Sequence, residues 1–369
     1  MRIVLDATGV QADSGGMTTF LRGLLDGWSQ VPETDAIFVL GMPELPPLAT
    51  GDSGVVQQVS QVKQSGLIAR IRAQQFDLPR LTERVRPDAL LTADPSIPLR
   101  PIGCPIVAVV HDLRHLARPE EFSHARRKYR AFVWGYGIRH ADRLIVDSDA
   151  TAADVQKYYP TVVDRIRQVR LGADHVDTWP RGAPDHENHA ITFGHWSNKR
   201  PDFSIRVWGA AYRTHPDLGI TLEVVGVPDA ERPGLLQIAR AEGVEQYVRL
   251  RSFVPDQDYQ ALFASSSLVL MTSTLEGFGL PVVEAMQLGI PVIASSGVGM
   301  ETAGGDAALY ADANSVDSFA KQVVRVLRDD DERARVVARG REHARTFNWS
   351  DAAASVRTVL EEAIQVHQR

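Results

Sequence analysis

The sequence predicts an α/β protein of two doubly wound domains, and three observations lead there. Short apolar runs of strand type alternate with helical patterns from Arg2 to Leu171. The same alternation restarts at Ala190. Between the two series lies the polar stretch Asp174 to His189, broken by Pro180, Gly182 and Pro184. Strands separated by helices argue for parallel βαβ units, and a Pro/Gly-rich polar stretch argues for a linker. At 369 residues the chain is too long for one ordinary core.

The first series opens on RIVLD, from Arg2, followed by a Gly-rich turn and a helix from Thr18 to Trp28. Further strand-like runs are AIFVL from Ala36, DALLT from Asp88, PIVAVV from Pro105, RLIVDS from Arg143 and RIRQVRL from Arg165. The second series holds AITFG from Ala190, TLEVVG from Thr221, YVRL from Tyr247, LVLMTS from Leu268, PVIAS from Pro291 and AALYAD from Ala307. Helical periodicity then fills Val316 to Arg328, Asp331 to Thr346 and Ser350 to Val366. In open α/β sheets ligands sit at the carboxyl ends of the strands, so each domain offers one such edge, and a site in a cleft between the domains is expected.

Composition narrows the class. The chain is 44% hydrophobic and 23% charged, as in a globular protein, and its formal charge of -6 argues against a general nucleic-acid binder. Cys104, the single cysteine, has no partner for a disulfide and no second thiol for a metal site. It reads as a reduced structural residue of a cytoplasmic protein. Arg2 leads straight into a strand with no signal peptide ahead of it. No apolar stretch approaches the ~18–20 residues that span a bilayer, so any membrane contact is expected to be peripheral.

The run STLEGFGLPVVEAMQLGIPVI, from Ser273 to Ile293, carries the most chemistry. Gly277 and Gly279 have no side chain to keep backbone N–H groups from phosphate oxygens. Pro281 suits the first position of a helix, where no N–H is needed. The helix start offers unpaired N–H groups and partial positive charge to an anion. Glu276 precedes this cradle and Glu284 lies just inside the helix, where each could hold a sugar or ribose hydroxyl. Gly289 stops the helix before the next strand. The layout reads as a nucleotide-sugar site.

With those residues in view, the chain resembles a retaining glycosyltransferase of family 4. The resemblance covers nearly the whole length and implies the GT-B fold, two facing Rossmann-like domains with an interdomain cleft. Its strongest element is the family's pair of glutamates separated by any seven residues, here Glu276 and Glu284 in EGFGLPVVE. AMQLGIPVIAS, GDAALYAD from Gly305, ADRLIVDSDATAADV from Ala141 and FNWSDAA from Phe347 resemble the family's other segments. The resemblance implies an acceptor-binding domain at residues 1–178, a nucleotide-sugar-binding domain at 179–346, and a helix at 347–369 that crosses back to the first domain.

The resemblance also implies roles. Glu284 would bond the ribose hydroxyls and Glu276 would contact the transferred sugar. Backbone N–H groups around Gly279, Leu280, Pro281 and Val282 would bind the diphosphate. Cations are needed there too, and FGHWSNKRPD supplies Lys199 and Arg200; many relatives carry an arginine where this chain has His195, so Arg200 or His195 is expected to make up the second contact. His111, at the end of VVHD, would line the donor-sugar pocket with Asp112 orienting its ring. Gly15 and Gly16 would form a turn that lets backbone approach the sugar or phosphate. Transfer is then expected with retention at the anomeric carbon, from a UDP- or GDP-sugar to an acceptor hydroxyl, without an essential metal or other cofactor. Glu276, His111 and Lys199 are the expected catalytic set. Arg251 to Pro255 lie where the base is expected.

Other features were weighed against this reading. There is no Walker loop, no Gly-x-Gly-x-x-Gly after the first strand and no Gly-x-Ser-x-Gly. Asp147-Ser-Asp149 has the look of a metal-binding Asp-x-Asp, but between a strand and a helix Asp149 is better read as an N-cap. The acidic run Asp329 to Glu332 reads as a solvated helix start. Two basic segments, Ile68 to Arg86 and His124 to Arg130, read first as solvated helix faces, with docking of an anionic acceptor or a lipid headgroup as the alternative. A nucleotide-sugar epimerase or a non-catalytic sensor on the same fold are the competing functions; product analysis with and without acceptor separates them.

Overall fold

A computed structural model describes residues 1–10, 15–45, 48, 55–180, 188–194 and 197–368. The chain divides into two compact units, Met1–Gly172 with Asn348–Arg369, and Ala173–Phe347.

The first unit is built on strands β1 (Arg2–Ala7), β2 (Ala36–Gly41), β3 (Val56–Gln61), β4 (Ala89–Thr92), β5 (Ile106–Val110), β6 (Arg143–Val146) and β7 (Ile166–Gln168). They pair in parallel in the order β3-β2-β1-β4-β5-β6-β7. β1 and β4 to β6 are almost wholly buried because helices cover both faces of a parallel sheet, which is why they read as continuous apolar runs. β3 was not anticipated. Its sequence VQQVSQ is polar because it is the sheet's edge, with much of it exposed.

The helix Trp349–His367 belongs to this unit. Trp349, Ala352, Ala353, Val356, Val359, Leu360 and Ala363 recur at helical spacing and are all buried. Full burial of each large apolar side chain contributes about 2 kcal/mol. Asn348 caps the helix by accepting the Asp351 N–H at 3.0 Å. Its contact helix, Gly15–Trp28, needs glycine at the crossing: a Cβ on Gly27 would lie 2.1 Å from the Trp349 carbonyl oxygen. Beyond the crossing, Arg357 Nε donates to Asp35 at 3.0 Å, and the same carboxylate accepts the Trp28 indole N–H at 3.0 Å.

The second unit repeats the plan with β8 (His189–Phe193), β9 (Thr221–Val225), β10 (Val248–Arg251), β11 (Leu268–Met271), β12 (Val292–Ser295) and β13 (Leu309–Ala311), again all parallel, in the order β10-β9-β8-β11-β12-β13. Trp208 and Phe319 anchor its core, with Phe203 edge-on to Phe319 at 5.6 Å. Asp329, in the acidic run, caps the helix Asp330–Ala344 by accepting the Glu332 N–H at 2.8 Å.

The border falls at Gly172/Ala173, ahead of the expected 178/179. The turn Asp174–Thr178 packs on the helix Leu280–Leu288, and Gln287 Nε2 donates to Asp177 at 3.0 Å, so these residues go with the second unit. At the other end the second unit closes at Phe347, whose carbonyl accepts the Ala173 N–H at 3.0 Å. Of the expected linker, residues 181–187 lie outside the described residues.

Replacing Gly27 by alanine should lower stability by about 1–3 kcal/mol, because backbone on the partner helix cannot yield as a side chain can. Gly103→Ala, where a Cβ meets nothing within 4 Å, should change the denaturation midpoint little. Equal midpoints for the two variants would contradict this packing.

Candidate active site

Both sheets grow outward through three strands and then return to the other side of the first, so their order reverses between β1 and β4 and between β8 and β11. Loops leaving such neighbours diverge, and the space at their carboxyl ends is where this architecture takes ligands. In the second unit the two loops are stitched together. The Thr274 N–H donates to the Asn198 carbonyl at 2.9 Å, and Thr272 Oγ1 donates to the Lys199 carbonyl at 2.8 Å. Across them Lys199 Nζ donates to Glu276 Oε1 at 2.7 Å, with both side chains mostly withdrawn from solvent. Asn198 Nδ2 reaches the Leu275 carbonyl at 2.9 Å and Glu276 Oε1 at 3.3 Å. The Asn198 Oδ1 and Ser273 Oγ atoms are buried without a hydrogen-bond partner among the described residues.

Arg200 serves a different contact set. It holds a left-handed φ of 53°, uncommon for a side-chain-bearing residue, immediately before Pro201. Its Nη1 donates to the Ala313 carbonyl at 2.6 Å and its guanidinium lies 3.9 Å from the centroid of the Phe203 ring. Burial depresses its pKa, opposed by Asp202. Lys199 is thus the cation of this loop that meets an acid of the glycine loop. His195 lies outside the described residues.

The glycine loop ends as its sequence requires. Gly279 precedes the helix Leu280–Leu288 with φ 90° and ψ 52°, and a Cβ there would lie 3.0 Å from Met300 Cγ. Pro281 occupies the first turn, and Gly289 ends the helix with φ 77°. No side chain caps the helix start. Val282 spends its N–H on the Gly279 carbonyl at 2.9 Å, and proline has none. The N–H groups leading the turn are therefore those of Gly279 and Leu280.

Glu284, one turn into this helix, is only 4% exposed. His175 Nε2 bonds its Oε1 at 3.2 Å. The imidazole lies edge-on to Trp179 at 5.7 Å, and Trp179 is edge-on to Tyr259 at 5.8 Å. Burial, with the Glu284 charge next in order, drives the Tyr259 pKa well above its ordinary value. A buried carboxylate with one imidazole partner keeps acceptor capacity for hydroxyl donors.

In the first unit, His111 follows β5, and its Nδ1 lies 2.9 Å from Asp147 Oδ2, the residue after β6. Asp147, buried at 2% exposure, is the orienting carboxylate. Asp112, expected in that role, instead accepts the Arg114 N–H at 3.0 Å and only adds charge nearby. His111 Nε2 is buried without a hydrogen-bond partner among the described residues. Burial pushes the His111 pKa down, but the Asp147 hydrogen bond and charge, with Asp112 and Asp94 beyond, outweigh it and hold the ring above its ordinary value. Gly15 and Gly16 open the helix Gly15–Trp28 rather than forming a turn before it. A Cβ on either would meet nothing within 4 Å. Ser148, not Asp149, caps the helix Asp149–Tyr158, accepting the Thr151 N–H at 3.0 Å.

Sequence reasoning missed His175, Asn198 and Asp147 as partners. Nothing local marks His175, since only the folded chain brings it to a glutamate 109 positions away. Asp147 was visible as a strand-end acid but was assigned no partner.

Known proteins share this architecture. The model described as "Glycosyltransferase Family 4" matches residues 14–177, and that described as "Glycosyl transferases group 1" matches residues 187–329. Among curated relatives, the O-antigen chain mannosyltransferase B of Escherichia coli is 27% identical over 66% of this chain and 67% of its own length. The D-inositol 3-phosphate glycosyltransferase of Salinispora tropica is 28% identical over 72% of this chain, and the match spans 61% of that enzyme. Among solved structures, a sucrose-phosphate synthase from Thermosynechococcus elongatus superposes with TM-score 0.76 at 16% identity, covering 99% of this chain and 100% of that one. HepE of Anabaena, solved with UDP and glucose, gives 0.71 at 16% identity, covering 98% and 100%. The fold is that of the GT-B glycosyltransferases. The chain belongs to glycosyltransferase family 4 and is a glycosyltransferase.

Asp147→Asn should move the His111 titration down, as followed by its ring proton resonances, because burial is then opposed only by the charges of Asp112 and Asp94. The sign for stability follows. A raised histidine pKa stabilises the fold fully below the ordinary value of about 6.5, and the contribution is lost as pH rises through the native one. An unmoved titration in the variant would show that Asp147 does not govern the ring.

Proposed function

We propose that the enzyme transfers a hexosyl group from a UDP- or GDP-sugar to an acceptor hydroxyl, with retention at the anomeric carbon and without a metal ion. The observation that carries this reading is the Lys199–Glu276 contact at the reversal point of the second sheet, beside a glycine-led helix start. That the Anabaena relative was solved with UDP and glucose supports the donor class.

In this reading Glu284 accepts the ribose hydroxyls while His175 fixes its second oxygen. The Gly279 and Leu280 N–H groups and Lys199 take the diphosphate. Lys199 exchanges the Glu276 carboxylate for phosphate oxygens as donor arrives, which frees Glu276 to face the sugar. In the transfer the bond from the anomeric carbon to the diphosphate oxygen breaks, and the acceptor oxygen bonds that carbon on the same face. The acceptor proton passes to the departing diphosphate. Positive charge placed beforehand on the leaving group lowers the barrier, and removal of one such group costs about 10²–10³ in kcat. The first unit supplies acceptor contacts, and His111 Nε2 offers a hydrogen bond to a sugar hydroxyl.

Glu284→Ala should raise the donor KM about tenfold or more with a smaller change in kcat, whereas Lys199→Ala and Glu276→Ala should mainly lower kcat. The anomeric proton coupling of the product should match that of the donor, and a chelator should leave the rate unchanged. Conversion of donor without acceptor would favour an epimerase instead. Full turnover in all three variants would end the assignment.

A further inference from the structure

The two basic segments of the first unit do more than face water. The helical run that starts at Leu67–Arg72 passes through a π-turn, Ala73–Asp77, and continues as Leu78–Val85. Its inner side buries Ala69, Ala73, Leu78 and Leu81. Its outer side carries Ile68, 85% exposed, with Leu67, Ile71 and Phe76 also exposed.

Direct contacts join this stripe to two further segments. Gln75 Oε1 accepts the Leu99 N–H at 2.9 Å, and the Arg100 guanidinium lies 5.4 Å from the Phe76 ring centroid. Tyr136 donates its hydroxyl to the Leu99 carbonyl at 3.4 Å. One turn earlier on the same helix, His124–His140, stands Phe132, 66% exposed. The exposed aliphatic and aromatic side chains of three segments therefore share one surface. Val163, Phe253 and Val366, also exposed, do not belong to these segments.

Positive charge predominates around this surface; Asp77, beside Phe76, is met by Arg80 at 3.5 Å. The helix His124–His140 carries Arg126, Arg127, Lys128, Arg130 and Arg139 and no acidic residue, in a chain whose net charge is -6. Arg72 and Arg100 add to it. An apolar patch of this kind marks an interaction surface. Protruding apolar side chains between cations match the boundary between anionic headgroups and acyl chains. No helix among the described residues is long and apolar enough to cross a membrane, so the match is to a surface.

We infer that the face formed by Ile68, Ile71, Phe76, Leu99 and Phe132, with its arginine rim, docks the first unit onto an anionic lipid bilayer. This goes beyond the transfer reaction and does not depend on the donor. Apolar insertion supplies the holding contact, and the cations select negatively charged lipid.

The test is vesicle flotation of the full chain with phosphatidylcholine alone and with phosphatidylcholine mixed with phosphatidylglycerol. Partition onto the anionic vesicles should be about tenfold stronger or more and should weaken with added salt. Ile68→Ser with Phe132→Ser keeps every charge and should lose about tenfold in partition. Both positions are exposed, so the thermal midpoint of this variant should match the parent and certify its fold. Equal partition onto both vesicles, none onto either, or an unchanged double variant would overturn the proposal. So would sedimentation velocity showing that the parent self-associates through this face and the double variant does not.

Discussion

The second unit depends on the stitching of two loops across the gap between β8 and β11. Parallel strands that start a sheet and then extend it in both directions leave a fork at their carboxyl ends. Here the fork is closed by backbone and hydroxyl hydrogen bonds from residues 272 and 274 to the carbonyls of 198 and 199. Those bonds fix where Lys199 and Glu276 stand before any ligand arrives. The ion pair is partly buried, so each charge is held by the other rather than by water, and an anionic ligand can replace the acid without first ordering the lysine.

The same constraint shapes the neighbouring helix. Gly279 adopts a left-handed conformation that side-chain-bearing residues rarely take, and as the cap residue it brings no side chain to the helix start that continues through Pro281. A helix start left uncapped presents its leading N–H groups to an anion. One turn later Glu284 is buried against His175, so the ribose-binding carboxylate proposed above is held from one side only. The first unit uses a parallel device: Asp147, after β6, fixes the ring of His111, after β5, whose outer nitrogen has no partner among the described residues.

Much of this was legible in the sequence because the signals are local. Continuous apolar runs such as PIVAVV and LVLMTS can be satisfied only by strands covered on both faces, and Gly279, Pro281 and Gly289 punctuate one helix. The parts that were not legible depend on tertiary contact. β3 is polar because it is an edge. Trp349 demands glycine at positions 23 and 27, more than 300 residues earlier in the chain, and no short window can show that. The orienting acid for His111 was placed one residue away, at Asp112, when the adjacent strand supplies it. Arg200 was expected as a second contact beside Lys199, but the left-handed turn before Pro201 aims it at Ala313.

The central claim is that the second unit holds a nucleoside diphosphate sugar at the Gly279 helix start, between Lys199 and Glu284. The most direct measurement is thermal denaturation of the parent and of Glu284→Ala with UDP, GDP, ADP and their sugars. A ligand at a hundred times its Kd adds about 2.7 kcal/mol to stability, so one nucleotide family should raise the parent midpoint by several degrees and the variant midpoint much less. No midpoint shift with any of these ligands, or the same shift in parent and variant, would contradict the account.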